Sequence, residues 1–274
     1  GGAPFIFFGG WKNTMPQIIT SAQNQYLKRA LELLSRRGRA AEGAFLVEGP
    51  RALSTVVDAG ANIQAVLIEA NATAHEELRA RLKADRVKVE LMQPGLLATV
   101  MDTDSPQGWL AIVRSPARVD LTRERPARLV LVDRVQDPGN LGTILRTADA
   151  VGAGVVLLEG TADPLTPKVV RSSAGSVVRV PWQRLSGEET RNWLAETGGG
   201  VVVLDSGYGE DLLSADLPQP LAIVAGSEAH GPSPLWAEAP RYRLPMRAGA
   251  ESLNVAIAVA VTLYESVRQS GGAL

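Results

Sequence analysis

Asn140 with Arg146, Glu228, and Ser252 with Asn254 are the side chains whose types and spacing could do chemistry in this sequence. Asn140 and Arg146 stand six residues apart in Val132–Gly152, VDRVQDPGNLGTILRTADAVG; on a helix that is about 9 Å along the axis, so the two need not touch. Glu228 lies in Ala222–Gly231, AIVAGSEAHG, where Gly226 allows close backbone approach and leaves room for a flat ligand edge. Ser252 and Asn254 open the segment SLNVAIAVAVTLYE. Several chemistries are excluded around this set. There is no cysteine, hence no thiol nucleophile, disulfide or thiolate metal site. The two histidines, His75 and His230, are too few for a structural zinc site and sit in no nucleophile elbow. Gly139 and Gly142 miss the G-x-G-x-x-G spacing of a dinucleotide loop, and no phosphate-binding P-loop occurs.

The elements that must position these residues are legible in the pattern. A strand ends at Asp133, Pro138-Gly139 turns the chain, and Asn140 is expected to cap the helix that carries Arg146. A second apolar strand, Leu221–Ala225, ends in the small-residue turn of Glu228. A third, YRLPM, leads through RAGAE to Ser252, an expected cap for a helix apolar almost all round, which must be buried in the core or against another subunit. Taken singly, each is also an ordinary unit: a strand-turn-helix with a surface arginine, a corner with a solvated glutamate, a capped helix.

With 274 residues, 45% of them apolar and 21% charged, the chain reads as two globular domains of α/β class. Residues 1–17 are expected to be an extension. Over 18–114 helical and strand signals alternate: a helix from Ser21 to about Gly38, strands at Ala44–Val47, Ala65–Glu69, Val87–Met92 and Trp109–Val113, and helices at Pro50–Ala59 and His75–Lys83. Residues 115–127 have the proline- and arginine-rich composition of an exposed connection. Over 128–274 the continuous apolar runs Leu129–Val132, Val155–Leu158, Val201–Leu204 and Leu221–Ala225 predict a mainly parallel sheet covered on both faces. These runs are far shorter than the ~20 residues of a membrane helix, so no membrane partner is expected, and the lack of cysteine fits a reducing compartment such as the cytoplasm.

Net charge is −1, so a polyanionic partner would have to be met locally. Arg36, Arg37 and Arg39, with Lys28 and Arg29 a turn or two earlier, form such a cluster. It reads either as a phosphate-binding surface or as a solvated helix end whose cations face the negative end of the dipole.

In this order and spacing, N-x-G-x-x-x-R-T-A, G-x-E-x-x-G and P-M-x-x-G-x-E-S-L-N-V-x-x-A resemble the SpoU/TrmH family of RNA 2′-O-ribose methyltransferases, of the SPOUT class, over about Leu129–Glu265. Thr166–Ser176 followed by a strand at Val177–Val180 looks like the family's lysine- and arginine-bearing helix. The second motif closes on Gly231-Pro232-Ser233-Pro234 where members often have Gly-Leu or Gly-Ile. The resemblance implies a doubly wound sheet with a deep trefoil knot, here between about Ala222 and Asn254. It implies S-adenosylmethionine bound by Gly226, Leu244 and Leu253, with no metal, since the sulfonium itself supplies the leaving group. Arg146 would activate the ribose hydroxyl, best described as electrostatic stabilisation of the developing alkoxide, with Asn140, Glu228, Ser252 and Asn254 holding it and the ribose. His230, beside Glu228, is a further candidate contact to RNA or cofactor. The preceding region, with FLVEG at Phe45–Gly49, looks like an L30e-like substrate-binding domain. Together these imply a homodimer acting on RNA, most simply ribosomal RNA. A transfer-RNA 2′-O-methyltransferase and a non-catalytic RNA-binding or ribosome-assembly factor are the alternatives.

Overall fold

The computed structural model describes residues 17–101, 103, 106–117 and 119–272. Apart from Gln17, the expected extension lies outside them. The first sheet has five strands in the order β1-β4-β3-β5-β2, formed by β1 (Ile18–Ile19), β2 (Ala44–Glu48), β3 (Ile63–Glu69), β4 (Val89–Met92) and β5 (Trp109–Arg114). β5 runs antiparallel to both β2 and β3, whereas β4 is parallel to β1 and β3. Every residue of β2 is buried, because helices cover both faces. Helix α1 (Gln25–Leu33) sets Leu27, Ala30 and Leu33 against Leu46, Leu67, Leu110 and Ile112. On the other face, α3 (Pro50–Asp58) and α4 (Glu76–Ala84) cover Phe45, Val47 and Val66.

The single helix expected from Ser21 to Gly38 is two. Asn24, not Ser21, caps the first by accepting from Tyr26 N. Ser35 then breaks the chain, because its Oγ accepts from Gly38 N at 2.9 Å and so starts α2 (Arg36–Glu42). Arg36 and Arg37 therefore begin a helix, and the helix-end reading of this basic cluster fails.

The second sheet has seven strands in the order β10-β12-β9-β11-β6-β7-β8. They are β6 (Arg128–Val132), β7 (Gly154–Leu157), β8 (Trp182–Arg184), β9 (Gly200–Leu204), β10 (Glu210–Asp211), β11 (Leu221–Ala225) and β12 (Arg241–Arg243). All neighbours are parallel. Parallel strands need crossovers, which here include α6 (Pro138–Ala150), α7 (Pro167–Ser172) and α8 (Gly187–Thr197); α5 (Leu121–Glu124) precedes the sheet and α9 (Val255–Gln269) closes the described chain. The strand expected at Val177–Val180 is a tight turn instead. Ala174 and Gly175 take positive φ after α7, and the chain resumes extended geometry only at β8.

The two sheets share one core. Phe45, Val47 and Val56 belong to the same buried cluster as Val169 and Val170 of α7, Val130 and Val132 of β6, and Ile144 of α6. Helices α6 and α7 meet at backbone distance: a Cβ on Gly142 would lie 1.9 Å from Ser172 Oγ and 2.9 Å from Ser173 N. Two ion pairs add to the junction. Arg171 Nη1 donates to Glu48 at 2.8 Å. Arg39 is only 5% exposed and donates to Leu33 O, Leu34 O and, at 2.7 Å, Asp163 Oδ2. Arg39 was expected on an RNA-facing surface; burial and these three acceptors take it out of that surface and make it a tie between the sheets.

Candidate functional site

Because all seven strands are parallel, their carboxyl ends lie along one edge, and the order changes direction at β6, between β7 and β11. A crevice outside that edge is where this architecture binds ligands. Gly226 follows β11, Asp205 and Ser206 follow β9, and Leu244 and Met246 follow β12; with Glu228, Leu253 and Asn254 they line a cavity of about 410 Å³, within the range of small-molecule sites. Its wall is apolar at Leu244, Met246, Leu253 and Ala258, and polar at Ser206, Ser227 and Ser252.

Three of the expected residues form a relay at its rim. Asn254 caps α9, its Oδ1 accepting from Ala256 N at 2.9 Å and Ile257 N at 3.3 Å. That fixes its amide, so Nδ2 faces Asn140 and donates to Oδ1 at 2.7 Å. Asn140 must then present its own Nδ2 onward, and it donates to Glu228 Oε1 at 2.6 Å. Orientation is thus passed from a helix end through two amides to a carboxylate, with no ambiguity about which group donates. The second oxygen of Glu228 has no protein partner among the described residues.

Local structure explains the availability of these groups. Asn140 is not the helix cap: Asp137 is, accepting from Asn140 N at 2.8 Å. Pro138 opens the helix, and with Asp137 as cap the Asn140 side-chain amide is free to reach across to the other motifs. Ser252 is not the cap of α9 either; Asn254 is, and Ser252 lines the cavity. Gly226, Leu244 and Leu253 all line the cavity as expected. Arg146 does not enter it. It is exposed on α6 and makes no hydrogen bond or ion pair with the other described residues. His230 is exposed on the turn beyond Glu228 and is absent from the cavity wall.

Two residues here were missed. Asp133, 3% exposed at the end of β6, accepts from Ser233 N at 2.6 Å. With Arg134, which reaches Gly231 O at 3.4 Å, it fastens the turn that carries Glu228. Asp205 accepts from Gly207 N at 3.0 Å, Tyr208 N at 3.2 Å and Arg241 Nη1 at 2.7 Å. Burial pushes its carboxyl up, but the Gly207 N–H and the Arg241 guanidinium outweigh burial and hold it below the usual carboxylate range. The sequence signal for both was the same: an acidic residue immediately after an apolar run, at the ligand-binding edge of a parallel sheet.

Among the described residues no cluster of metal-binding side chains occurs and no helix is long and apolar enough to cross a membrane.

Comparison with known proteins agrees with this geometry. Residues 127–264 match the SpoU rRNA Methylase family, and residues 24–111 match the MRM3-like substrate binding domain. The chain is 35% identical to a 23S rRNA (uridine(2479)-2′-O)-methyltransferase of Streptomyces viridochromogenes, covering 92% of each. It is 30% identical to the 23S rRNA (guanosine(2553)-2′-O)-methyltransferase RlmP of Bacillus subtilis, covering 90% of this chain and 97% of that one. Among solved structures, the SpoU methyltransferase AviRb of Streptomyces viridochromogenes, in complex with AdoMet, superposes with a TM-score of 0.81 at 32% identity, over 92% of this chain and all of that one (100%).

Proposed function

Since the chain belongs to the SpoU rRNA methylase family, we propose that it transfers a methyl group from S-adenosylmethionine to a ribose 2′-hydroxyl of 23S ribosomal RNA, in the cytoplasm. The observation that carries this reading is the Glu228–Asn140–Asn254 relay at the rim of the cavity. The cavity suits the methyl donor. Gly226 is buried with no side chain to obstruct a flat ring, and Leu244, Met246 and Leu253 offer the apolar wall. When bound, the sulfonium supplies an activated methyl and a neutral leaving group.

The protein's task is then to place the hydroxyl and accommodate one departing proton. In this reading the free oxygen of Glu228 orients the ribose or the guanidinium of Arg146, Arg146 stabilises the alkoxide as it develops, and the proton passes to solvent. Radiolabelled methyl transfer to deproteinised 23S rRNA, followed by mapping of 2′-O-methylation, tests the reading; label found on a base or absent altogether overturns it.

The relay makes a sharp prediction. Asn140→Asp keeps the shape but cannot donate to Glu228, and it sets two carboxylates side by side. We expect kcat to fall about 100-fold with S-adenosylmethionine affinity changed less than about threefold, read by single-turnover kinetics and calorimetry. Asn254→Asp keeps the α9 cap but turns a carboxylate oxygen, in place of the donor, toward Asn140 Oδ1, so it should reproduce the loss of rate without loss of thermal stability.

Residues 18–114 serve as the RNA-binding module, 115–127 as the connection and 128–274 as the catalytic module. Lys28, Arg36 and Arg37 are the cations of the basic cluster available to RNA; Arg29 is shared with Glu42 and Gln64. The turn after Gly226 and the segment through Leu244 to Asn254 converge on one cavity, which supports the family's knotted threading between Ala222 and Asn254.

A homodimer completes the site. Leu253, Ile257, Val261 and Tyr264 leave an apolar stripe exposed on and beside α9, with Tyr264 at 55%, and Arg146 stands outside its own chain's cavity. Ile257→Glu with Tyr264→Glu should convert a dimer to monomers in sedimentation and lower turnover at least tenfold. A wild-type chain that sediments as a monomer at assay concentration removes this part of the reading.

A further inference from the structure

The ligand-binding edge of the second sheet continues past the relay to the stretch Ala162-Asp163, which is approached by Arg184 from β8 and by α2 from the first domain. Arg184 ends β8 and is exposed, its Nη2 donating to Ala162 O at 3.2 Å. The next residue, Asp163, is already committed on both oxygens: Oδ2 to Arg39 at 2.7 Å and Oδ1 to Leu165 N at 3.1 Å. Arg36 lies three residues before Arg39 on α2, on the same side of the helix, and is exposed. Glu159, the other carboxylate on this stretch, is held by Gly187 N at 3.1 Å. Two guanidiniums therefore share a corner with one carboxylate, Asp163, whose two oxygens already have partners. Partial burial pulls the Arg184 guanidinium below its ordinary pKa, Asp163 pulls it back and Arg36 lowers it again. With Arg39 already paired to Asp163, the two remaining guanidiniums leave the corner net positive and favour a further anion between them.

The position suits a piece of the substrate. In the order β11-β6-β7-β8, Arg184 is three strands from the turn of Glu228, about 14 Å at the usual strand spacing. A few nucleotides of single strand cover that distance. Resting on the RNA-methylating reading above, we propose that Arg36 and Arg184 jointly clamp one backbone phosphate of the bound RNA, a few nucleotides from the ribose being methylated. A phosphodiester offers two acceptor oxygens, one to each planar guanidinium, and it converts their repulsion into a bridged contact. Such a contact fixes register without reading sequence. It would also couple the orientation of the two sheets to substrate binding, since Arg36 and Arg184 come from either side of the Arg39–Asp163 tie.

The test uses the full chain, deproteinised 23S rRNA as probe, and the variants Arg36→Gln, Arg184→Gln and their double; glutamine keeps a donor for Ala162 O while removing the charge. Filter binding across a salt series should show each single variant weakened about fivefold at 0.1 M salt. In the double variant the slope of log affinity against log salt should fall by about 0.7 to 0.9, the equivalent of one phosphate rather than two. S-adenosylmethionine affinity should be unchanged and the unfolding temperature unchanged or raised, because a repulsion has been relieved. Unaltered RNA affinity and salt slope in the double variant, with the wild type still methylating the RNA, overturns the clamp and leaves the enzymatic reading intact. A drop in unfolding temperature that accompanies the lost affinity also overturns it, since the arginines would then be structural. A wild type that binds the RNA with the expected arginine dependence yet transfers no methyl group supports the clamp and overturns the methylation.

Discussion

Arg146→Ala should lower kcat for methyl transfer by about 10²–10³-fold while S-adenosylmethionine binding changes less than threefold. The separation follows from where Arg146 sits. It is exposed on α6, six residues beyond Asn140, outside the cavity and unpaired with the other described residues, so its removal leaves no buried charge and breaks no packing. A guanidinium carrying no structural duty retains its full field for a substrate. Arg146→Lys should recover only part of the rate, because an ammonium is a point charge without the planar fork that can hold a hydroxyl and a neighbouring phosphate at once. Single-turnover kinetics with saturating RNA and calorimetry with S-adenosylmethionine measure the two quantities independently. Undiminished turnover in Arg146→Ala removes this residue from the mechanism.

Gly226→Ala should strike cofactor binding, with a loss of S-adenosylmethionine affinity of at least 30-fold. A Cβ at this position would lie 2.2 Å from Pro232 N, 2.5 Å from Gly231 C and 2.7 Å from Pro232 Cα. All three are backbone atoms, so no side chain can swing away, and the turn from Ser227 to Gly231 must move instead. Ser227 and Gly231 exchange two backbone hydrogen bonds, at 3.1 and 2.8 Å, so the turn shifts as a unit and carries Glu228 with it. Overpacking of this kind costs about 1–3 kcal/mol, which a domain of this size survives; circular dichroism should show a folded protein with a lowered melting temperature. Calorimetry showing wild-type affinity in a folded variant would mean that the turn can move without disturbing the cavity.

The different outcomes expected at Arg146 and Gly226 follow from their places, one outside the cavity and one on its wall. The apolar runs marked β6, β7, β9 and β11 within a residue or so, because strands covered on both faces cannot hide their composition. Asn140, Glu228 and Asn254 were legible as members of ordered motifs, and their contact is seen only once three strand ends are brought to one edge. Capping was less legible. Asp137 and Asn140, or Ser252 and Asn254, are equally plausible caps by type; Asp137 caps α6 and leaves the Asn140 amide for Glu228, whereas Asn254 caps with its oxygen and donates to Asn140 with its nitrogen. Arg39 was the clearest failure: nothing local distinguishes it from Arg36 and Arg37, and its acceptor, Asp163, lies 124 residues away. β8 was missed for a related reason, since a strand of three residues carries too little pattern to be told from a turn.

The buried cluster running from Phe45 through Val170 to Val132 bears on how such a protein can change over evolution or in the laboratory. An RNA-recognition module joined only by a tether could be exchanged for another and the enzyme redirected in one step. Here a graft at the connection would bare apolar surface on both halves and strand Asp163 and Glu48 without their arginines. New targets are more readily reached by altering the exposed surface residue by residue, while the seam between the two halves is inherited whole.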